Sequence, residues 1–353
     1  HRPRVVAVSL AYLSQLAGAI DLKRHLARRG VEAVVGGSLP ASLAATGRGL
    51  DALEEVVGPV ALGDELALVG ERGRCLDRLA WPALLSPRPY LSARRVVPLA
   101  LSEGCYWGRC RFCPDRDLAF RPVAVEAADA LLESMPSLEG APPPLVHLVD
   151  SSTPAAGLER FAAVARRRRV RYYGFARPDA SYDSPELLAE AADAGLAMLQ
   201  LGVESGSKRL LDAYDKGIDP AVASRVVRAA AAAGVRTYVY LLFGLPEETD
   251  ADRESTLARL ADDADHVDFL NLSLFNLPRH SALAARAAEH GIELGDFAGN
   301  DDRLRLYRPF TVDGASPRDA ARAWIRARLR PHPRLRPILR RTPRWLRAAH
   351  LAM

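Results

Sequence analysis

Three of the four cysteines in this 353-residue chain fall within nine residues: Cys105, Cys110 and Cys113, in the run GCYWGRCRFCP. Their spacing is C-x4-C-x2-C. Thiols this dense read as soft metal ligands rather than as a disulfide framework. Zinc closes a structural shell with four ligands. Here the remaining cysteine, Cys75, lies in a distant helical stretch and the loop holds no histidine, so zinc would need His147 or another remote ligand. Three inert buried cysteines are a second reading. An iron–sulfur cluster is a third, because three thiolates leave one iron open for a substrate or cofactor.

The elements around the loop are those of an α/β protein. "RVVAVSL" and "VEAVVGG" read as short buried strands, with "SQLAGAIDLKRHLARRG" as a helix between them closed by Gly30. "VALGDELALVGERGRCLDRLAW" suggests a further strand and helix. This front part, residues 1–85, is a partial Rossmann-like unit. The proline-rich stretch that follows, with 86–95 at its centre, is a linker. From residue 96 to 291 strands and helices alternate regularly: "VVPLALS", "LVHLVD", "VRYYGFA", "LAMLQLGVE", "VRTYVYLLFG" and "VDFLNLSLF" are strands, each followed by a helical or loop segment. Such alternation predicts a parallel sheet with right-handed crossovers. Six units are too few to close an eight-stranded barrel, so the expected fold is a partial (βα)6 TIM-like barrel. Residues 292–353 form a C-terminal extension.

Parallel barrels carry their sites at the C-terminal ends of the strands. The cysteine loop follows the first strand, Asp150 the second, Arg177 the third, Glu204 the fourth and Gly244 the fifth. Each also has an ordinary reading: Asp150 and Glu204 as helix N-caps, Gly244 as a turn before Pro246, Arg177 as a surface ion pair.

A three-cysteine loop after the first strand of a partial barrel, with the aromatic Phe112 just before the last cysteine, resembles the radical S-adenosylmethionine (SAM) superfamily. "AGLAMLQLGVESGSKRLLDAYDKG" and "AAAAGVRTYVYLLFGLPEET" are similar to its fourth-strand and fifth-strand blocks. The usual loop there is C-x3-C-x2-C, so this chain has one extra residue in the first gap. The resemblance implies a 4Fe-4S cluster on Cys105, Cys110 and Cys113, whose open iron chelates SAM. It also implies reductive cleavage of SAM to a 5′-deoxyadenosyl radical. Phe112 would lie against adenine, Asp150 would contact the SAM amino group, and Arg177 its carboxylate. Glu204 and Ser205 would contact the ribose or amino group, and Gly244 and Leu245 would back the adenosine. Where Gly-Gly-Glu is usual, this chain has "VDSST".

The front segment resembles the second half of the cobalamin-binding domain that precedes many of these enzymes, with Ser9, Gly36 and Gly37 near the nucleotide tail. The half that carries the Asp-x-His-x-x-Gly loop is not present, and His25 lies mid-helix. The segment is therefore either a remnant or truncated domain, or one that holds cobalamin without a histidine. The chain opens on His1 and not Met, which leaves room for a preceding segment. The resemblance implies methylation of an unactivated carbon in a peptide or natural product, with a flavodoxin- or ferredoxin-like reductant. Cobalamin-independent rearrangement, oxidation or thiolation is the alternative within the class. A zinc-stabilised RNA-binding protein is the alternative outside it.

Composition sets the frame. The net charge of +5 hides a split: residues 318–353 carry eleven Arg against Asp319, or +10, so the rest sums to −5. That tail, interrupted by Pro331, Pro333, Pro337 and Pro343, cannot be one helix. It reads as a solvated extension or as a contact for an acidic partner such as nucleic acid, a leader peptide or an anionic surface. No apolar run reaches ~18 residues, which excludes a transmembrane helix in this sequence. With cysteines grouped for a metal, the expected compartment is the cytoplasm.

Overall fold

The computed structural model describes residues 4–10, 15–45, 49–62, 95–113, 116, 119–135, 143–279, 281–296 and 307–342. The chain divides into two compact units, residues 1–80 with 296–308, and residues 81–295 with 309–353.

In the first unit, strands β1 (Val5–Ser9) and β2 (Glu32–Gly36) pair in parallel with Ser9 opposite Gly36. Helix α1 (Leu16–Ala27) connects them. It ends through Gly30, whose φ of 68° lies in the left-handed region. Helices α2 (Ser38–Ala45) and α3 (Leu50–Val57) follow; the sequence reading anticipated neither. Leu10, Val35, Leu39, Leu43, Leu53 and Val57 close the small core. Val60 makes a single parallel bridge to Val35, as a third strand would. The rest of the expected strand and helix, with Cys75 and the linker, lies outside the described residues.

The second unit is built on a six-stranded parallel sheet. Its strands are β3 (Val96–Leu99), β6 (Leu145–Leu148), β7 (Arg171–Ala176), β8 (Leu196–Glu204), β9 (Arg236–Phe243) and β10 (Phe269–Leu274). Their order is β10-β9-β8-β7-β6-β3, so strands adjacent in sequence are neighbours in space and the sheet has two open edges. A two-residue antiparallel pair, β4 (Ser102–Glu103) and β5 (Arg121–Pro122), brackets the cysteine loop. Helices α4 (Val125–Glu133), α5 (Ala155–Arg168), α6 (Pro185–Asp193), α7 (Lys208–Ala213), α8 (Pro220–Ala232) and α9 (Asp250–Asp262) fill the crossovers. The expected partial barrel is the observed fold.

Local signals explain where the helices start. Ser184 and Asp219 cap α6 and α8 ahead of a proline in the first turn, and Thr249 with Asp252 forms a capping box on α9. The end of the 96–291 segment holds α10 (Ala282–Ala285) and a separate 3-10 turn at Ala287–His290.

The described part of the C-terminal extension packs on the barrel. Ile292–Leu294 pairs with Phe310–Val312, and helices α11 (Pro317–Trp324) and α12 (Arg336–Arg341) follow. Thr342 Oγ1 accepts from Leu270 N at 3.1 Å, and Arg341 Nε donates to the Asp268 carbonyl at 2.7 Å. The tail up to Thr342 is therefore anchored at the start of β10, while Trp345 and the arginines beyond it lie outside the described residues.

Candidate active site at the cysteine loop

β3 delivers the chain into the cysteine loop, and Asp150 fixes that exit. Its carboxylate, 4% exposed, accepts from Leu101 N at 3.1 Å and from Ser102 Oγ at 2.5 Å. Asp150 does not cap a helix: α5 starts from Pro154. Further along, Arg111 N donates to Tyr214 O at 3.0 Å, Cys113 N to Cys110 O at 3.2 Å, and Leu283 N to Arg111 O at 3.3 Å. These bonds hold Cys105, Cys110 and Cys113 at the C-terminal end of the sheet, all three as free thiols with Cys110 the buried one. Phe112 packs on Tyr214, with ring centroids 6.1 Å apart, and against the apolar cluster that contains Leu245.

The extra residue of the first gap has a visible use. Tyr106 OH donates to Asp179 Oδ2 at 2.8 Å, and Trp107 Nε1 to the Asp215 carbonyl at 2.7 Å. Burial, and then the Asp179 carboxylate, push the Tyr106 hydroxyl pKa well up, which keeps it a donor. The Trp107 ring lies on Gly217, where a Cβ would stand 2.0 Å from Cζ2. Gly217 also has a φ of 65°. Gly217→Ala is expected to displace the indole, lower stability by about 1–3 kcal/mol and reduce iron loading. Urea unfolding and iron content per chain check this; wild-type values for both would refute the anchoring role.

Arg177, 4% exposed, is not a surface ion pair. Its Nη1 lies 3.8 Å from Cys110 Sγ, its Nη2 donates to the Lys216 carbonyl, and its Nε is 3.4 Å from Asp179 Oδ2. The guanidinium also stacks over Trp107 at 4.8 Å. Glu204 sits where β8 shifts register against β9, with a φ of 64° that turns its side chain at the strand end. It accepts from Lys216 Nζ at 3.0 Å and is not a helix cap; Ser207 caps α7. Lys216 is nearly buried and lies 5.9 Å above the Phe112 ring. Sequence reasoning missed it, although it is one of three lysines in an arginine-rich chain. Burial pushes the Cys110 thiol pKa up; Lys216 and Arg177 pull against that shift, while Cys105 and Glu204 add to it. One thiol thus feels two cations and a carboxylate that come from the ends of β7 and β8 and from the loop after α7.

The remaining predicted residues divide. Ser205 is buried and shares hydrogen bonds with Thr256 Oγ1 and Ser207 N, so its hydroxyl holds the turn into α7. Gly244 N donates to Glu248 Oε2 at 2.7 Å. A Cβ at Gly244 would stand 3.1 Å from Arg318 Cα, so its close neighbour is the chain's own α11. In the first unit Ser9, Gly36 and Gly37 come together at the C-terminal edge of the two strands: Leu10 N donates to Gly36 O at 2.7 Å, and a Cβ on Gly37 would stand 2.9 Å from Ser9 Oγ. His25 is exposed on α1 and bonds to Arg29.

The donor set fits an iron–sulfur cluster. Three free thiols lie on one loop, and the buried cations Arg177 and Lys216 stand beside the middle one to offset added negative charge. Among the described residues no three His, Cys, Asp or Glu side chains converge as ligands of a single ion. His147, the remote ligand that zinc would need, stacks on Tyr173 with centroids 4.3 Å apart. Among the described residues no helix is long and apolar enough to cross a membrane.

The family model of the Radical SAM superfamily matches residues 99–260. No curated protein matches by sequence. Among solved structures, the chain is similar to the cobalamin-dependent S-adenosylmethionine radical enzyme OxsB with aqua-cobalamin bound, with a TM-score of 0.62 at 15% identity. That match covers 92% of this chain and 58% of OxsB, so the chain spans less than two thirds of that relative. It is also similar to the radical SAM methyltransferase TsrM from Kitasatospora setae with cobalamin and a 4Fe-4S cluster bound, with a TM-score of 0.59 at 17% identity over 92% of this chain and 74% of that one. At such identities the likeness is one of fold. The sequence match lies on the sheet and loop described above, and by it the chain carries a radical SAM domain over residues 99–260.

Proposed function

We propose that this protein cleaves SAM reductively at a 4Fe-4S cluster on Cys105, Cys110 and Cys113 and modifies an unactivated carbon of a peptide or natural product, by methylation with cobalamin on the front unit. The observation that carries the reading is the buried Arg177 guanidinium 3.8 Å from the middle thiol of a three-cysteine loop, with the Lys216–Glu204 pair over Phe112 of the same loop. When bound, the cluster supplies an electron and SAM the sulfonium bond that it splits.

The chain's own residues bind, orient and exclude water. Arg177 and Lys216 offset the charge of the thiolates and of a carboxylate that arrives beside them. Glu204, held by Lys216, presents its second oxygen to an ammonium or to hydroxyls. Phe112, backed by Tyr214, forms an apolar wall for a purine. Asp150 acts one step away, by fixing the loop exit. Ser9, with Gly36 and Gly37 that carry no side chain, would line an edge for the nucleotide tail of cobalamin, and His25 lies exposed on α1. The fold likeness to two cobalamin-binding proteins covers 92% of the chain, hence the front unit as well, and this supports the cobalamin part of the reading. A flavodoxin- or ferredoxin-like protein would supply electrons.

Anaerobic reconstitution with iron and sulfide tests the proposal. The expected result is a broad visible absorbance, with 5′-deoxyadenosine formed only when SAM and reductant are both present. One tightly bound zinc and no SAM cleavage would overturn it.

A further inference from the structure

Side chains alternate along each barrel strand, so residues two apart share a face. On the concave face Leu145, Tyr173, Met198, Tyr238 and Phe269 form a closed floor, each 4% exposed or less. Two residues further along the same strands come His147, Phe175, Gln200, Tyr240 and Asn271, with Pro98 on β3. Apart from Gln200, this upper layer is only partly buried, although it lies inside the sheet. It therefore borders open space. Two residues beyond Phe175 stands Arg177, at the mouth beside Cys110.

The chemistry of the upper layer is narrow. It holds no Lys, Arg, Asp or Glu. Its rings make a continuous array: Phe175 to Tyr240 at 4.7 Å and Tyr240 to Tyr238 at 4.6 Å, with His147 stacked on Tyr173 at one side. Gln200 stands within the array at 4% exposure. Its Nε2 donates to Tyr240 OH at 3.2 Å, and its Oε1 has no partner among the described residues. In this orientation the orphaned end is the amide oxygen, an acceptor. A buried amide oxygen without a donor is costly, and a ligand N–H or O–H would satisfy it.

We propose that this layer binds the substrate through a flat, uncharged, aromatic or conjugated group that donates one hydrogen bond to Gln200. The inference rests on the reading of the mouth above as the reactive end. Rings favour a flat π-bearing partner. A charge brought to this depth would find no counter-ion and would lose its water. Charged parts of the substrate are therefore directed up to the mouth, where Arg177, Lys216 and Glu204 stand.

Two naphthalenes serve as probes of the full chain: 2-naphthol, with a donor, and 2-methoxynaphthalene, without one. Affinity is read from probe fluorescence anisotropy and SAM cleavage from the same preparations. The wild type is expected to prefer 2-naphthol over its ether by about 5–10-fold. Gln200→Met, close in volume and apolar, should erase the preference for 2-naphthol and leave the ether unchanged. Phe175→Leu should weaken both neutral probes by about 3–10-fold. Equal binding of 2-naphthol and its ether by the wild type, or a preference that survives Gln200→Met, would overturn the proposal. If SAM cleavage persists while that preference is missing, only this inference fails. If the preference holds without SAM cleavage, the binding layer is supported and the reading of the mouth fails.

Discussion

Cys110→Ala is expected to abolish cluster assembly and SAM cleavage together. Cys110 is the most buried of the three thiols and the one that faces both Arg177 and Lys216. Its loss leaves two thiols on the loop, while Arg177 and Lys216 keep Asp179 and Glu204 as partners. A cluster on three ligands has no spare, so 5′-deoxyadenosine formation should fall by at least about 100-fold, beyond the usual cost of losing an outer-shell partner. The backbone should hold, because Arg111 N, Cys113 N and Leu283 N anchor the loop through main-chain bonds that the substitution spares. Iron and sulfide content, visible absorbance and far-UV circular dichroism separate the outcomes. Wild-type iron content in Cys110→Ala, with a native spectrum, would remove Cys110 from the ligand set. Gly217→Ala offers a graded comparison, since it disturbs the same loop through Trp107 without touching a thiol.

Arg253→Ala is expected to give the largest stability loss. Arg253 Nε pairs with Glu248 Oε2 at 3.0 Å, with side-chain exposures of 7% and 1%. Glu248 also accepts from Gly244 N, so the pair supports the Gly-Leu-Pro turn after β9. Burial pushes the Glu248 carboxyl pKa up, while the Gly244 N–H and Arg253 draw it back. Removing Arg253 leaves that carboxyl buried with one donor fewer, a change that costs about 3–5 kcal/mol for a broken buried pair. The sign of the pH effect follows. With its folded pKa further above the unfolded value, the carboxyl is protonated in the fold at a pH where it ionises in the unfolded chain. Stability of the variant then falls as pH rises through that window and recovers as pH is lowered. Urea unfolding at neutral and mildly acidic pH should show the deficit shrink toward acid. A deficit that is constant with pH, or below about 1 kcal/mol, would mean the pair is solvated. Arg253→Met with Glu248→Gln should recover much of the loss, because neither partner is then left as an unpaired charge.

The alternation of the barrel was legible because parallel strands buried on both faces leave short apolar runs, and the helices between them start at Ser, Asp and Thr caps. The front unit was less so. Helix α2 lies in a stretch of Ala, Ser and Leu with little periodicity, and α3 is amphipathic but only eight residues long, with no capping side chain to mark its start. Arg177, Glu204 and the cysteines were legible by position, at strand ends where such sites collect. Their partners were not. Trp107 reaches a carbonyl 108 residues away and Tyr106 a carboxylate 73 residues away, and no local pattern encodes either contact. Lys216 reads as an ordinary end of α7 until the turn through Gly217 brings it against Glu204.

The sequence by itself determined the spacing of the cysteines, the order of strands that carries them and the family those blocks resemble, because each is a local or periodic property of the chain. The tertiary structure alone decided what the side chains do at the mouth. It showed Asp150 bonded to the loop exit, Ser205 within a turn, Gly244 against α11, and a lysine and an arginine around one thiol. It also decided that the concave face holds a ring-lined, charge-free layer with one unsatisfied amide. Those outcomes depend on which atoms meet when six strands come into register, and a burial or a hydrogen bond between distant segments exists only once they have.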